Sequence, residues 1–131
     1  MKKLFISCPM KGRTEENIKK SMDKMHRIAE IVFDQELEVV DSYEPIEELP
    51  SSVTNTSVYY LGRSIQKMSK ADYFIGIIDY SSYYTGCMIE KDVASHYDIP
   101  CTFISMREMM PDAVKIERNK THYEIECAEG E

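Results

Sequence analysis

The sequence predicts an α/β domain built on a parallel sheet, and three observations point to it. Short apolar segments alternate with amphipathic ones, in the order strand, helix, strand, helix, strand, helix, strand. One short segment, Phe74-Ile75-Gly76-Ile77-Ile78, is apolar on both faces, as a strand covered on each side must be. The connections between successive strands are long enough for helical crossovers, which parallel neighbours require.

The elements follow in order. Leu4-Phe5-Ile6-Ser7 is a short apolar strand. Thr14 is a helix N-cap, with Glu15 and Glu16 in the first turn, where the helix dipole favours negative charge. Ile18, Met22, Met25, Ala29 and Val32 then recur at helical spacing, which predicts a helix over 14–33. Residues 37–40 form the second strand. The stretch 41–56 holds Pro45, Pro50 and a Ser/Thr/Asn cluster and reads as a long loop. Ser57 is placed to cap a second helix whose inner face carries Leu61, Ile65, Met68 and Ala71. The third strand covers 72–78, a Tyr- and Ser-rich loop 79–86, and a third helix 87–97, stopped by Asp98-Ile99-Pro100. Residues 101–105 are the fourth strand. In the tail, 114–116 and 123–127 either pair as a hairpin or extend the sheet edge.

With 131 residues the chain is one domain, 1–131, with a core over 3–105 and a C-terminal extension over 106–131. Apolar residues at 43% and charged residues at 30% give a globular balance, not a disordered one. No apolar run approaches the ~20 residues of a membrane span, and the run after Lys2-Lys3 is too short for a secretory signal. Cys8, Cys87, Cys101 and Cys127 are widely spaced with no CxxC pair, which predicts free thiols in a reducing cytoplasm. His26, His96 and His122 lack metal-ligand spacing, so no metal or cofactor is implied. A net charge of −7 argues against a nucleic-acid polymer as partner, while leaving small anions open.

Together these features predict a flavodoxin-like three-layer sandwich: four to five parallel strands, with helices on both faces. In such sheets ligands bind beyond the carboxyl ends of the strands, where the strand order reverses. Three loops converge there: 7–12, 41–56 and 79–86. Glu90 stands out among the residues near that edge. Placed at about 100° per residue, Ile89, Val93, Tyr97 and Ala94 span an arc of about 140°, and Glu90 falls inside it. A carboxylate on a buried face is costly unless it is paired or used. Its place near the helix start also predicts help from the dipole in staying ionised. Such a group suits a nucleophile or a stabiliser of an oxocarbenium ion; a dipole-placed Glu leaning to solvent is the alternative.

Ser7-Cys8-Pro9-Met10-Lys11-Gly12 follows the first strand, where this fold places a phosphate or sugar loop. Ser7 offers a hydroxyl, Lys11 and Arg13 offer charge, and Gly12 permits close backbone approach. An ordinary turn is the alternative, since neither a dinucleotide loop nor a Walker A spacing is present. Cys8 and Arg13 are separated by four residues, one short of the cysteine-phosphatase loop. Tyr80, Tyr83 and Tyr84 either stack on a base or cover the sheet edge.

Three segments also carry a resemblance: Phe5-Ile6-Ser7-Cys8-Pro9-Met10-Lys11-Gly12, then Ser69-Lys70-Ala71-Asp72-Tyr73-Phe74, then Gly86-Cys87-Met88-Ile89-Glu90. They resemble the nucleoside 2-deoxyribosyltransferase-like superfamily, and most of all its small phage and bacterial members, over roughly 3–105. The resemblance implies a flavodoxin-like fold, assembly into dimers or larger oligomers, and a nucleoside or nucleotide as ligand. It puts on Glu90 the attack on C1′ of the sugar, on Ser7 and Gly12 the sugar or phosphate contacts, and on Gly86 the start of the Gly-x-x-x-Glu motif. Members of the family carry a tyrosine in the first strand, where Leu4 and Phe5 stand here. They also carry an aspartate near Arg63-Ser64-Ile65 that passes a proton to the leaving base. Ser64 takes that place, so the acid role falls to Asp79, Asp41 or Glu44 if it is filled. Two functions are therefore expected: N-glycosidic cleavage or deoxyribosyl transfer with Glu90 and Asp79 as catalytic groups, or a nucleotide-binding or sensing module with the same pocket.

Overall fold

A computed structural model of the chain describes residues 1–40, 49–79 and 84–109. Among these, four parallel strands, β1 (Lys2–Ile6), β2 (Leu37–Val39), β3 (Tyr73–Ile77) and β4 (Cys101–Ile104), form one sheet in the order β2-β1-β3-β4. Helices α1 (Glu15–Phe33), α2 (Thr56–Met68) and α3 (Thr85–His96) make the three crossovers, and the short α4 (Met106–Met109) follows β4. The expected parallel α/β architecture is thus present, with the strand order of a flavodoxin-like sheet. The loop residues 41–48 and 80–83, and the hairpin or edge expected within 114–127, lie outside the described residues.

Period-two alternation on the strands sorts the core into two clusters. Leu4, Ile6, Ile75, Ile77 and Ile104 meet Met25 and Ala29 of α1 in one. Phe5, Phe74 and Phe103 meet Met68 of α2 and Ala94 of α3 in the other. A strand whose alternate residues are both buried must be covered on both faces, which is why β1 and β3 read as continuous apolar runs. Gly76 belongs to this packing. Phe74 lies parallel to Phe5 at 5.9 Å and edge-on to Phe103 at 6.4 Å. A Cβ at Gly76 would sit 2.6 Å from Cε1 of that ring.

Several boundaries differ from expectation, each for a local reason. Thr14 caps α1 as expected, accepting from the Asn17 N–H at 3.1 Å. The cap of α2 is Asn55, not Ser57: its Oδ1 accepts from Val58 N at 3.0 Å, so the helix begins at Thr56 and Ser57 falls inside its first turn. Helix α3 starts at Thr85, two residues before the expected start. Val32 was expected on the inner stripe of α1 but is 54% exposed, because the stripe drifts and Phe33 packs on Tyr73 at 4.3 Å instead. The core also continues past residue 105. Met106 is buried in the first cluster, its N–H donating to Asp79 Oδ1 at 2.7 Å, and Lys24 Nζ donates to the carbonyl of Glu108 at 2.9 Å.

Among the described residues β2 is an edge strand, and side chains tie it to α1. Val40 N donates to Leu4 O at 2.8 Å, so alternate backbone groups of this segment face β1 and those of Leu37 face away. Both of the latter are taken: Leu37 N donates to Glu30 Oε2 at 2.9 Å, and His26 Nε2 lies 2.8 Å from Leu37 O. A carbonyl can only accept, so Nε2 carries the proton.

Gly76→Ala is expected to destabilise the fold by about 1–3 kcal/mol through overpacking against Phe74. Urea denaturation measures it. The loss should shrink when Phe74→Leu is present, and equal losses in both backgrounds would assign the cost to something other than the ring.

Candidate functional site

The strand order reverses between β1 and β3, and the segments that leave their carboxyl ends diverge there. Ser7 follows β1, its N–H bonded to Ile75 O at 2.9 Å, which extends the β1–β3 ladder by one residue. Helix α3 follows β3 and carries Glu90. Across the divide, Ser7 Oγ donates to Glu90 Oε1 at 2.6 Å. The Ser64 hydroxyl of α2 hydrogen-bonds the same carboxyl. Three elements that are remote in sequence therefore meet on one side chain.

Glu90 is not in the first turn of α3, because that helix starts at Thr85. The dipole effect fades within one turn, so the expected help with ionisation falls away. The expected inner arc also needs correction at Tyr97, which is 77% exposed. The inward stripe is Cys87, Glu90 and Ala94, at spacings of three and four, and Glu90 remains on it. Burial raises the Glu90 carboxyl above its ordinary value, opposed by the hydrogen bonds from Ser7 and then Ser64. The neighbouring Cys87 thiol is pushed up to about 12, chiefly by burial, then by the Glu90 charge, with Ser7 opposing and Cys8 adding.

A cleft of about 1240 Å³ opens at this edge. Among the described residues, Cys8, Met10, Lys11, Ser64, Tyr84, Gly86 and Glu90 line it, seven of the residues singled out from sequence. Ser7 and Pro9 are buried behind the lining, and Gly12 is exposed at φ 78, in the left-handed region that glycine favours. Asp79 is exposed outside the lining, where it accepts the Met106 N–H. Asp41 and Glu44 lie outside the described residues. Tyr84 holds the β1 loop, its hydroxyl donating to Lys11 O at 3.1 Å. Arg13, expected to offer charge to a ligand, turns into its own loop. It donates to Pro9 O at 3.0 Å, Asn17 O at 3.3 Å and Ser21 Oγ at 2.7 Å, with Nη1 3.8 Å from Cys8 Sγ.

Sequence reasoning missed the sides of the cleft. Helix α2 contributes Ser57, Tyr60, Arg63 and Lys67, and α1 contributes Ile18, Lys19, Met22 and His26. The α2 set runs at spacings of three and four, as do Lys19, Met22 and His26 on α1, with Ile18 beside them, so the helical periodicity of the polar positions was the signal that could have found them. Lys11, Lys19, Arg63 and Lys67 set four basic side chains against Glu15, Asp23 and Glu90 in the lining. The cleft balance is thus positive on a chain of net charge −7. No group of three or more His, Cys, Asp and Glu among the described residues is placed to hold a metal ion, and no described helix is long and apolar enough to cross a membrane.

No protein-family model, curated protein or solved structure matches the chain.

The raised Glu90 value sets a pH dependence of stability. The folded protein holds this proton more tightly than the unfolded chain. The resulting stabilisation is fully present below the ordinary glutamate value of about 4.3 and is lost as pH rises through the higher folded value. Glu90→Gln carries no such charge. Its stability relative to the parent, by urea denaturation between about pH 4 and 8, should therefore improve with rising pH and then level off. A difference flat in pH would contradict a raised carboxyl. At about pH 8 Cys87 should resist iodoacetamide in the native state and react in urea, as mass spectrometry of the peptides reads out.

Proposed function

We propose that the cleft binds a nucleoside or nucleotide and that the protein breaks its N-glycosidic bond, with Glu90 as the nucleophile. One observation carries this reading: a desolvated carboxylate, held by two serine hydroxyls, stands at the strand-order reversal beside an open cleft. The resemblance to the nucleoside 2-deoxyribosyltransferase-like superfamily supports the same role for the same residue. The lining also suits such a ligand: the half-exposed Tyr60 puts an aromatic side chain there for a base, and Lys11, Lys19, Arg63 and Lys67 offer charge to a phosphate. A homodimer or larger oligomer, which the resemblance implies, belongs to this proposal.

In the reaction, a carboxylate oxygen of Glu90 forms a bond to C1′ as the C1′–N bond breaks. The bonding pair leaves on the base nitrogen, which takes up a proton. Water or a second base then attacks C1′ and frees the carboxylate. Glu90 must be ionised for the first step. The donors on it therefore matter, because burial works against ionisation and they work for it.

A nucleotide-binding module without turnover is the second reading, and the acid position favours it. Ser64 is a poor proton donor where the family carries an aspartate, and Asp79 is engaged with Met106 away from the lining. General acid catalysis is worth about 10²–10⁴-fold, so its loss would leave slow chemistry on an intact binding site.

Incubation with deoxynucleosides and their 5′-monophosphates, with and without acceptor bases, should release free base detectable by mass spectrometry. Glu90→Ala should reduce that release by at least about a thousandfold. Binding by calorimetry without release, at high protein concentration, would select the second reading. Release that Glu90→Ala leaves intact would remove Glu90 as the nucleophile.

A further inference from the structure

We infer that Ser7 is a positioning residue for Glu90 and not a ligand contact. This rests on the reading of Glu90 as the nucleophile, and it reverses the sugar or phosphate contact that the resemblance puts on Ser7. Ser7 is 1% exposed, with buried Cys8 and Pro9 next to it, and is absent from the cleft lining. A ligand in the cleft meets Glu90 and Ser64 before it meets Ser7.

The backbone of Ser7 is fixed by its N–H bond to Ile75 O at 2.9 Å, so the hydroxyl starts from a strand end and not from a free loop. Its single proton goes to Glu90 Oε1 at 2.6 Å, within the range of a charge-assisted O–H···O bond. A donor fixed at the end of β1 thus holds one carboxylate oxygen of Glu90 in place. Ser64 acts on the same carboxyl from the lining, where a ligand can displace it.

The test follows the carboxyl and the kinetics separately. With glutamate labelled by carbon-13 at the carboxyl, and Glu90 assigned by its loss in Glu90→Gln, the full chain is titrated without ligand. Ser7→Ala should raise the Glu90 midpoint by about one to two pH units. An unmoved midpoint in folded Ser7→Ala overturns the inference. In turnover of the four common deoxynucleoside 5′-monophosphates, Ser7→Ala should lower kcat by about ten- to a hundredfold. KM should change little, and the pH profile should shift upward with the carboxyl. Ser64→Ala, at a lining position, should change KM as well. A Ser7→Ala variant with raised KM and unchanged kcat makes Ser7 a ligand contact and overturns the inference. If the parent shows no turnover but the midpoint still moves, the hold of Ser7 on Glu90 stands and the glycosidic reading falls.

Discussion

The reversal of winding between β1 and β3 governs the carboxyl edge of this molecule. The chain leaves β1, crosses over α1 to the outer strand β2, then returns past β1 to β3. The segments that follow β1 and β3 must therefore separate, one towards α1 and one towards α3. Neighbouring backbones that diverge leave polar groups without ladder partners, and such groups need other partners or water. Ser7 and Glu90 meet in that gap. The bond between them links the end of β1 to α3, and Ser64 adds α2 to the same carboxyl. A buried carboxylate with fewer donors would be costly in any other part of this fold.

Charge is distributed in keeping with that arrangement. The chain as a whole is acidic, with exposed pairs such as Lys20–Glu16 and Lys3–Glu38 on its outer surface. Such pairs contribute little to stability. The basic residues of the lining sit on α1, on α2 and in the loop after β1. Arg13 serves a different end. Its guanidinium ties together the carbonyls of Pro9 and Asn17 and the hydroxyl of Ser21. The loop after β1 is thereby shaped by a cation that sequence inspection assigns to a ligand.

The fold was legible because the signals that specify it are local. Strand β3 announces itself by being apolar on both faces, and Thr14 by its place before two acidic residues. Glu90 was legible as an intruder on an apolar face, even though Tyr97, counted in that face, turns outward. Other features depend on geometry that a linear pattern does not contain. Asn55 and Ser57 are both capable caps, and only the backbone at Asn55 decides between them. Ser7 reads both as the last residue of the first strand and as the first of the loop that follows, and the bond to the Ile75 carbonyl settles it as part of the ladder. Arg63 and Lys67 lie on a polar stripe of α2, which ordinarily means a solvated face. Packing turns that stripe toward the cleft.

The side-chain bonds from α1 to Leu37 have a consequence for how the molecule behaves among its own copies. A sheet margin with unpaired N–H and C=O groups is a template onto which another chain can add. Here Glu30 and His26 occupy both backbone groups of Leu37, on a strand of only three residues. The protein's own helix supplies the partners that an incoming strand would otherwise provide. Strand addition along this margin would have to break both bonds first, so the tether works as a guard against aggregation as well as a link between helix and sheet.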